Sequence, residues 1–173
     1  MLLPSMRRSG ALFSGLALVL AVAACGVRYG LAGGGLPANV RTVAVLPFEN
    51  QTTSPDVQRD LLDVMRRELQ KRLGVRDAAQ DRADAVVRGV IDSYDVDVPV
   101  GVSANPSQAV SARRRLQVII DVEIVEQKSG RVLFQRKGMR GEGDYAERGE
   151  AEGRKQALQR IVNDIVEGTQ SQW

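Results

Sequence analysis

Between Arg113 and Val125 the side chains alternate strictly enough to dictate one structure. Leu116, Val118, Ile120, Val122 and Ile124 take one parity, and Gln117, Asp121 and Glu123, with Ile119, take the other. A period of two residues belongs to a β-strand with one packed face and one face at least partly wet. A strand of that length cannot stand alone. It needs neighbours in a sheet and a second layer over its apolar side, so an all-helical fold is excluded.

The rest of the chain supplies both. Thr42-Val43-Ala44-Val45-Leu46 is a continuous apolar run, expected as a strand buried on both faces and ended by Pro47. Phe48 to Thr53 reads as a polar loop. Ser54-Pro55-Asp56 has the chemistry of a helix start: a capping hydroxyl, a proline suited to the first turn and an acid facing the positive end of the dipole. Val57, Leu61, Val64, Met65, Leu69 and Leu73 follow at helical spacing, and Gly74 is the expected stop.

Ala85 to Val98 is expected as a long strand, Pro99 to Gln108 as a loop, and Gln127 to Gly130 as a turn. A fourth strand runs from Val132 to Met139 and is broken by Gly141 to Gly143. A second helix is expected from Tyr145 to Glu167, with Leu158, Ile161, Val162, Ile165 and Val166 as its apolar stripe and Gly168 as its stop. The order is β-α-β-β-β-α. The expected fold is a two-layer α+β sandwich, a four-stranded mixed sheet with two helices on one face and the other face open.

The first residues read differently. Arg7 and Arg8 precede an uncharged apolar run, Ala11 to Ala24. Fourteen residues fall short of the roughly 20 that a bilayer span needs and fit the core of an export signal. Cys25, the only cysteine, follows at once. A small residue and then a lone cysteine after such a run resembles the lipobox of bacterial lipoproteins, which implies cleavage before Cys25 and acylation of it. In the lipoproteins that this segment resembles, an Asp at the position of Gly26 signals retention in the inner membrane, so the resemblance implies the outer membrane as the expected location. Residues 1–24 are thus expected to be a signal, 25–39 an acylated glycine-rich linker, and 40–173 one domain. Removing Arg7 and Arg8 lowers the net charge from +3 to +1.

Composition narrows the chemistry further. The chain has no histidine and one cysteine, which excludes imidazole bases, His ligands and CxxC-type sites. No nucleophile and base stand in a recognisable arrangement, so neither an enzyme nor a bound cofactor or metal is expected. Asp92, Asp95 and Asp97 lack Ca²⁺-loop spacing and read as solvated acids at a strand end. Tyr145 and Trp173 are candidate partner anchors.

Several phrases together resemble the LptE family of lipopolysaccharide-assembly lipoproteins. They are Cys25-Gly26 with Tyr29, Gly35-Leu36-Pro37, TVAVLPFENQT from Thr42 to Thr52, and Asp84 to Ile91. Arg115-Leu116-Gln117-Val118, Ser129 to Phe134, Ala157-Leu158, Ile165-Val166 and the terminal Trp173 continue the match. Val27 and Arg28 displace the tyrosine that often follows Cys-Gly in the family, and Phe134 replaces a common Trp. The resemblance implies a lipoprotein inside the lumen of the outer-membrane export barrel LptD, acting as plug and assembly partner while lipopolysaccharide passes. It makes Arg113, Arg114 and Arg115 candidate contacts for lipid phosphates, which suit the arginine fork. Alternation along a strand sends Arg114 to the face opposite Arg113 and Arg115. Periplasmic lipoproteins of the curli-secretion or peptidoglycan-synthase-activator type share a strand like VAVLPFEN followed by a helix, and are the alternative reading.

Overall fold

In a computed structural model of the chain, the structure describes residues 35–98, 114–146 and 148–171. The expected signal, Cys25, the loop after Val98, Arg113 and Trp173 lie outside them. The elements run β1 (Thr42–Val45), β2 (Glu49–Asn50), α1 (Pro55–Leu73), β3 (Arg76–Asp77), a short 3-10 helix (Gln80–Arg82), β4 (Ala85–Val98), β5 (Arg114–Glu126), β6 (Val132–Tyr145) and α2 (Glu150–Ser171). The α+β class and the mixed sheet agree with expectation, but among the described residues the sheet has six strands instead of four.

Its order is β3-β1-β4-β5-β6, with β2 also against β4. β1 lies parallel to β3 and β4, β2 parallel to β4, and the β4-β5-β6 hairpins are antiparallel. The added strands are short. Pro47 splits what would be one strand into β1 and β2, because it has no N–H to give the ladder. Phe48, expected in a polar loop, is 1% exposed and fills the space over Gly89, where a Cβ would strike its ring.

Both helices cover one face. Val57, Leu61, Val64, Met65 and Leu69 of α1 and Leu158, Ile161, Val162, Ile165 and Val166 of α2 join one core with Leu116, Val118, Ile120, Val122 and Ile124 of β5. Gly74 closes α1 at φ 67°, its N–H donating to the Gln70 carbonyl. The helices run side by side in the same direction. Asp60 meets Arg154 near their starts, and Arg72 meets Asn163 near their ends.

Two glycine readings are corrected. Gly141 and Gly143 do not end β6, which continues to Tyr145. They sit under α2, and a Cβ on either would strike the carbonyl of Ala157 or of Gly153. A strand usually loses by glycine; here the missing side chains let helix and strand backbones meet. Gly168 likewise lies within α2, which begins at Glu150 and not at Tyr145, and leaves room for the Phe134 ring.

Register shifts interrupt the hairpins. Ile91 opposes Ile120, whereas Ser93 opposes Ile119, so Asp92 is an extra residue in β4. Face parity therefore flips there: Ala85, Val87 and Ile91 face the helices, and Tyr94 joins the same core beyond the bulge. On the other side of β5, Lys137 and Gly138 together oppose Asp121, with Gly138 at φ 62°.

Candidate functional site

Three places on the fold carry clustered polar chemistry. The first is the far end of the β4-β5-β6 hairpins. Arg114 pairs in register with Tyr145 and Arg115 with Asp144, so the two arginines point to opposite faces as alternation requires. Arg115 is already held: Nε donates to Asp144 Oδ1 at 2.7 Å, and Nη1 lies 3.5 Å from Glu142 Oε2. Arg114 Nη1 lies 3.6 Å from Asp97 Oδ1. The Tyr145 hydroxyl donates to the Val96 carbonyl, and burial, then the Asp97 charge, raises its pKa. Tyr145, weighed as a partner anchor, is 8% exposed and belongs to the core edge. Arg113 lies outside the described residues, so the cluster is seen only in part.

The second is the open sheet face. Arg88 bridges to Glu123 at 2.9 Å. Asp121 accepts the Gly138 N–H at 2.8 Å and lies against Asp92, whose carboxyl is pushed up first by desolvation and then by that neighbour. An open depression of 320 Å³ lies here, lined in part by Glu49, Arg88, Asp121, Glu123 and Lys137. Asp92, Asp95 and Asp97 are exposed, as read from the sequence. Among the described residues no group of three or more Cys, Asp or Glu side chains could hold a metal ion. One corner of this face is closed: Ala83, with Ala78 and Leu46, packs on Ala44 and Val86.

The third is a network between the helices and β4 that the sequence reading missed. Arg154 is 8% exposed, 2.8 Å from Asp60 and 3.6 Å from Glu150. Tyr94 donates to Glu150 at 2.6 Å, and burial, then that bond, pushes its pKa up to about 12. The signal was present: Arg154 is four residues before Leu158 and seven before Ile161, on the apolar stripe itself. An arginine there must be paired.

Geometry of this kind defines a class: a two-layer α+β domain with one helix-covered face and one charged sheet face. The chain belongs to the LptE family, described as lipopolysaccharide-assembly, whose family model matches residues 40–169. That is a family of non-enzymatic envelope lipoproteins. No curated protein matches the chain. Among solved structures, the PelC dodecamer from Paraburkholderia phytofirmans is similar at 15% identity and a TM-score of 0.51, over 77% of this chain and 94% of that one. A minor lipoprotein from Acinetobacter baumannii is similar at 12% identity and a TM-score of 0.51, over 78% of this chain and 95% of that one. Both likenesses concern the fold.

Proposed function

We propose that this chain is an outer-membrane lipoprotein subunit of the lipopolysaccharide export translocon, anchored through acylated Cys25. It plugs an LptD-type barrel, assists its assembly and helps deliver lipopolysaccharide to the cell surface. The observation that carries this is the family match across residues 40–169. The charged, open sheet face supports it, since the interior of such a barrel is polar. Residues 1–24 would leave as the signal, 25–39 would serve as the tether, and 40–173 would be the working domain. Arg113, Arg114 and Arg115 are proposed lipopolysaccharide contacts at the far end of the hairpins, where Arg115 would exchange a carboxylate partner for a phosphate.

Tagged full-length chain purified from outer membranes tests this. A large β-barrel should co-purify, and the complex should retain lipopolysaccharide. Reversing charge at Arg113 and Arg115 together should reduce the retained lipopolysaccharide, and Arg114→Glu should do so far less. A peptidoglycan synthase in place of the barrel would overturn the proposal in favour of the activator-type reading. A homo-oligomeric ring would favour the secretion-type reading, to which the shared fold of the PelC dodecamer lends support.

A further inference from the structure

We infer that the end of the sheet where β1 begins is a docking surface for the anionic headgroups of a phospholipid bilayer. The register gathers exposed cations there. Arg76 pairs with Thr42, beside Arg41. Lys71 lies in the last turn of α1. Lys128 lies in the turn after Glu126, which opposes Ala85 at the start of β4. Arg41, Lys71, Arg76 and Lys128 are exposed and make no ion pair among the described residues.

Most acids at this end are occupied, with Glu68 of α1 and the exposed Asp164 of α2 as the exceptions. Asp77 faces Arg66, Asp81 faces Arg82 and Glu167 faces Arg72, each at 3.8 Å. Asp84 is half-buried and turned toward the N–H groups of Arg41 and Thr42. Glu126 is 6% exposed and bound by Asn39 and Ser129. What projects outward is therefore mainly positive. At the opposite end Asp95, Asp97, Glu150 and Glu152 are exposed beside the exposed Arg114 and Arg148, so that end carries both signs of charge.

Chain length supplies the second observation. Leu36 packs on the core and Asn39 donates to Glu126, so the chain joins the fold at this same end. Cys25 precedes Gly35 by ten residues, at most about 35 Å of extended chain. A lipid on Cys25 would hold the cationic end near the bilayer at high effective concentration. Attraction of Lys and Arg to an anionic leaflet acts within about a Debye length, a range the tether lets them reach. The docking surface rests on the proposed acylation for its anchor, although an uncleaved apolar run ending at Ala24 would tether the chain from the same point.

Full-length chain carrying Cys25→Ser and an N-terminal hexahistidine tag, held by a nickel-chelating lipid present in every vesicle, tests the surface without acylation. A fluorophore is placed at Ala79→Cys, near the cationic end, or at Asp95→Cys, near the far end. Vesicles otherwise contain phosphatidylethanolamine with phosphatidylglycerol, or phosphatidylcholine alone, and acrylamide quenching is read. The Ala79→Cys probe should lose most of its quenching on the anionic vesicles only. Arg76→Glu with Lys128→Glu, or about 1 M salt, where screening shortens to about 3 Å, should restore it. If that variant fails to fold, Arg41→Glu with Lys71→Glu serves instead. The Asp95→Cys probe should be quenched equally throughout. Equal quenching of the Ala79→Cys probe on both vesicles, or protection that survives charge reversal and salt, overturns the inference. Mass spectrometry of the wild-type chain decides separately whether residue 25 is acylated.

Discussion

At Asp84 a single carboxylate joins the start of β1 to the start of β4. It accepts the Thr42 hydroxyl at 2.8 Å and the N–H groups of Arg41 and Thr42 at 2.9 Å each. The hydroxyl first, then the amides, hold its pKa below the ordinary 3.8. In the unfolded chain the group takes a proton near 3.8; in the fold it resists until lower pH. Its contribution is therefore present above that value and lost as pH falls through it toward the folded pKa. Urea unfolding at neutral pH and again below pH 3.8 should show a larger loss for wild type than for Asp84→Asn. Equal losses would show that the carboxylate is not the group being titrated. Asp84 is visible in the sequence as a residue before an apolar run, but its partners lie 42 and 43 residues away. Spacing alone carries no information about such a bond. Phe48 was unreadable for a similar reason: its polar neighbours indicate a loop, and only the bare Gly89 opposite explains where the ring goes.

At the scale of elements, periodicity was a good guide wherever side chains do the packing. Ala85–Val98 is observed with the boundaries expected, and β5 and α1 differ from expectation by a residue or two at most. It failed where packing depends on having no side chain. Gly141 and Gly143 read as breakers because glycine weakens an isolated strand. The contacts that need them are made by a helix ten and sixteen residues further on, at Gly153 and Ala157. Gly143→Ala should test this seam. Its Cβ would strike the Gly153 backbone, which cannot swing aside as a flexible side chain can. The expected cost is about 1–3 kcal/mol or more, the range of overpacked cores, read as a lower urea midpoint. Gly130→Ala, in open space at φ 71°, should cost about 1–2 kcal/mol from backbone strain alone. An unchanged midpoint for Gly143→Ala would mean that helix and strand are not in contact there.

For the molecule as a whole, the sequence specifies two layers and the helix-covered face, and leaves the strand order open. Short strands are the reason. β2 and β3 are two residues each and have no period to detect, yet they set one edge of the sheet. The arginines at 113–115 were legible as a cluster, whereas the carboxylates holding Arg115 come from β6, almost thirty residues on. One feature of the sheet divides the molecule unequally. β4 has neighbours on both sides only as far as Ile91, where β2 ends. Just beyond, the extra residue Asp92 in β4 and the Lys137–Gly138 bulge in β6 flank β5 near Asp121. Residues 93–98, 114–119 and 139–145 thus form a three-stranded arm past a crease. In deuterated water the arm should open on its own, because its backbone bonds have fewer neighbouring strands to protect them. Amides of residues 85–91 and 120–126 should exchange only when the whole domain unfolds. Those of 93–98 and 114–119 should exchange at a lower free energy, as one group. Uniform protection along β5 would show that the crease bends the sheet without dividing its cooperativity. Separate protection would mean that the arginine-bearing tip can rearrange on a partner while the end where β1 begins stays folded.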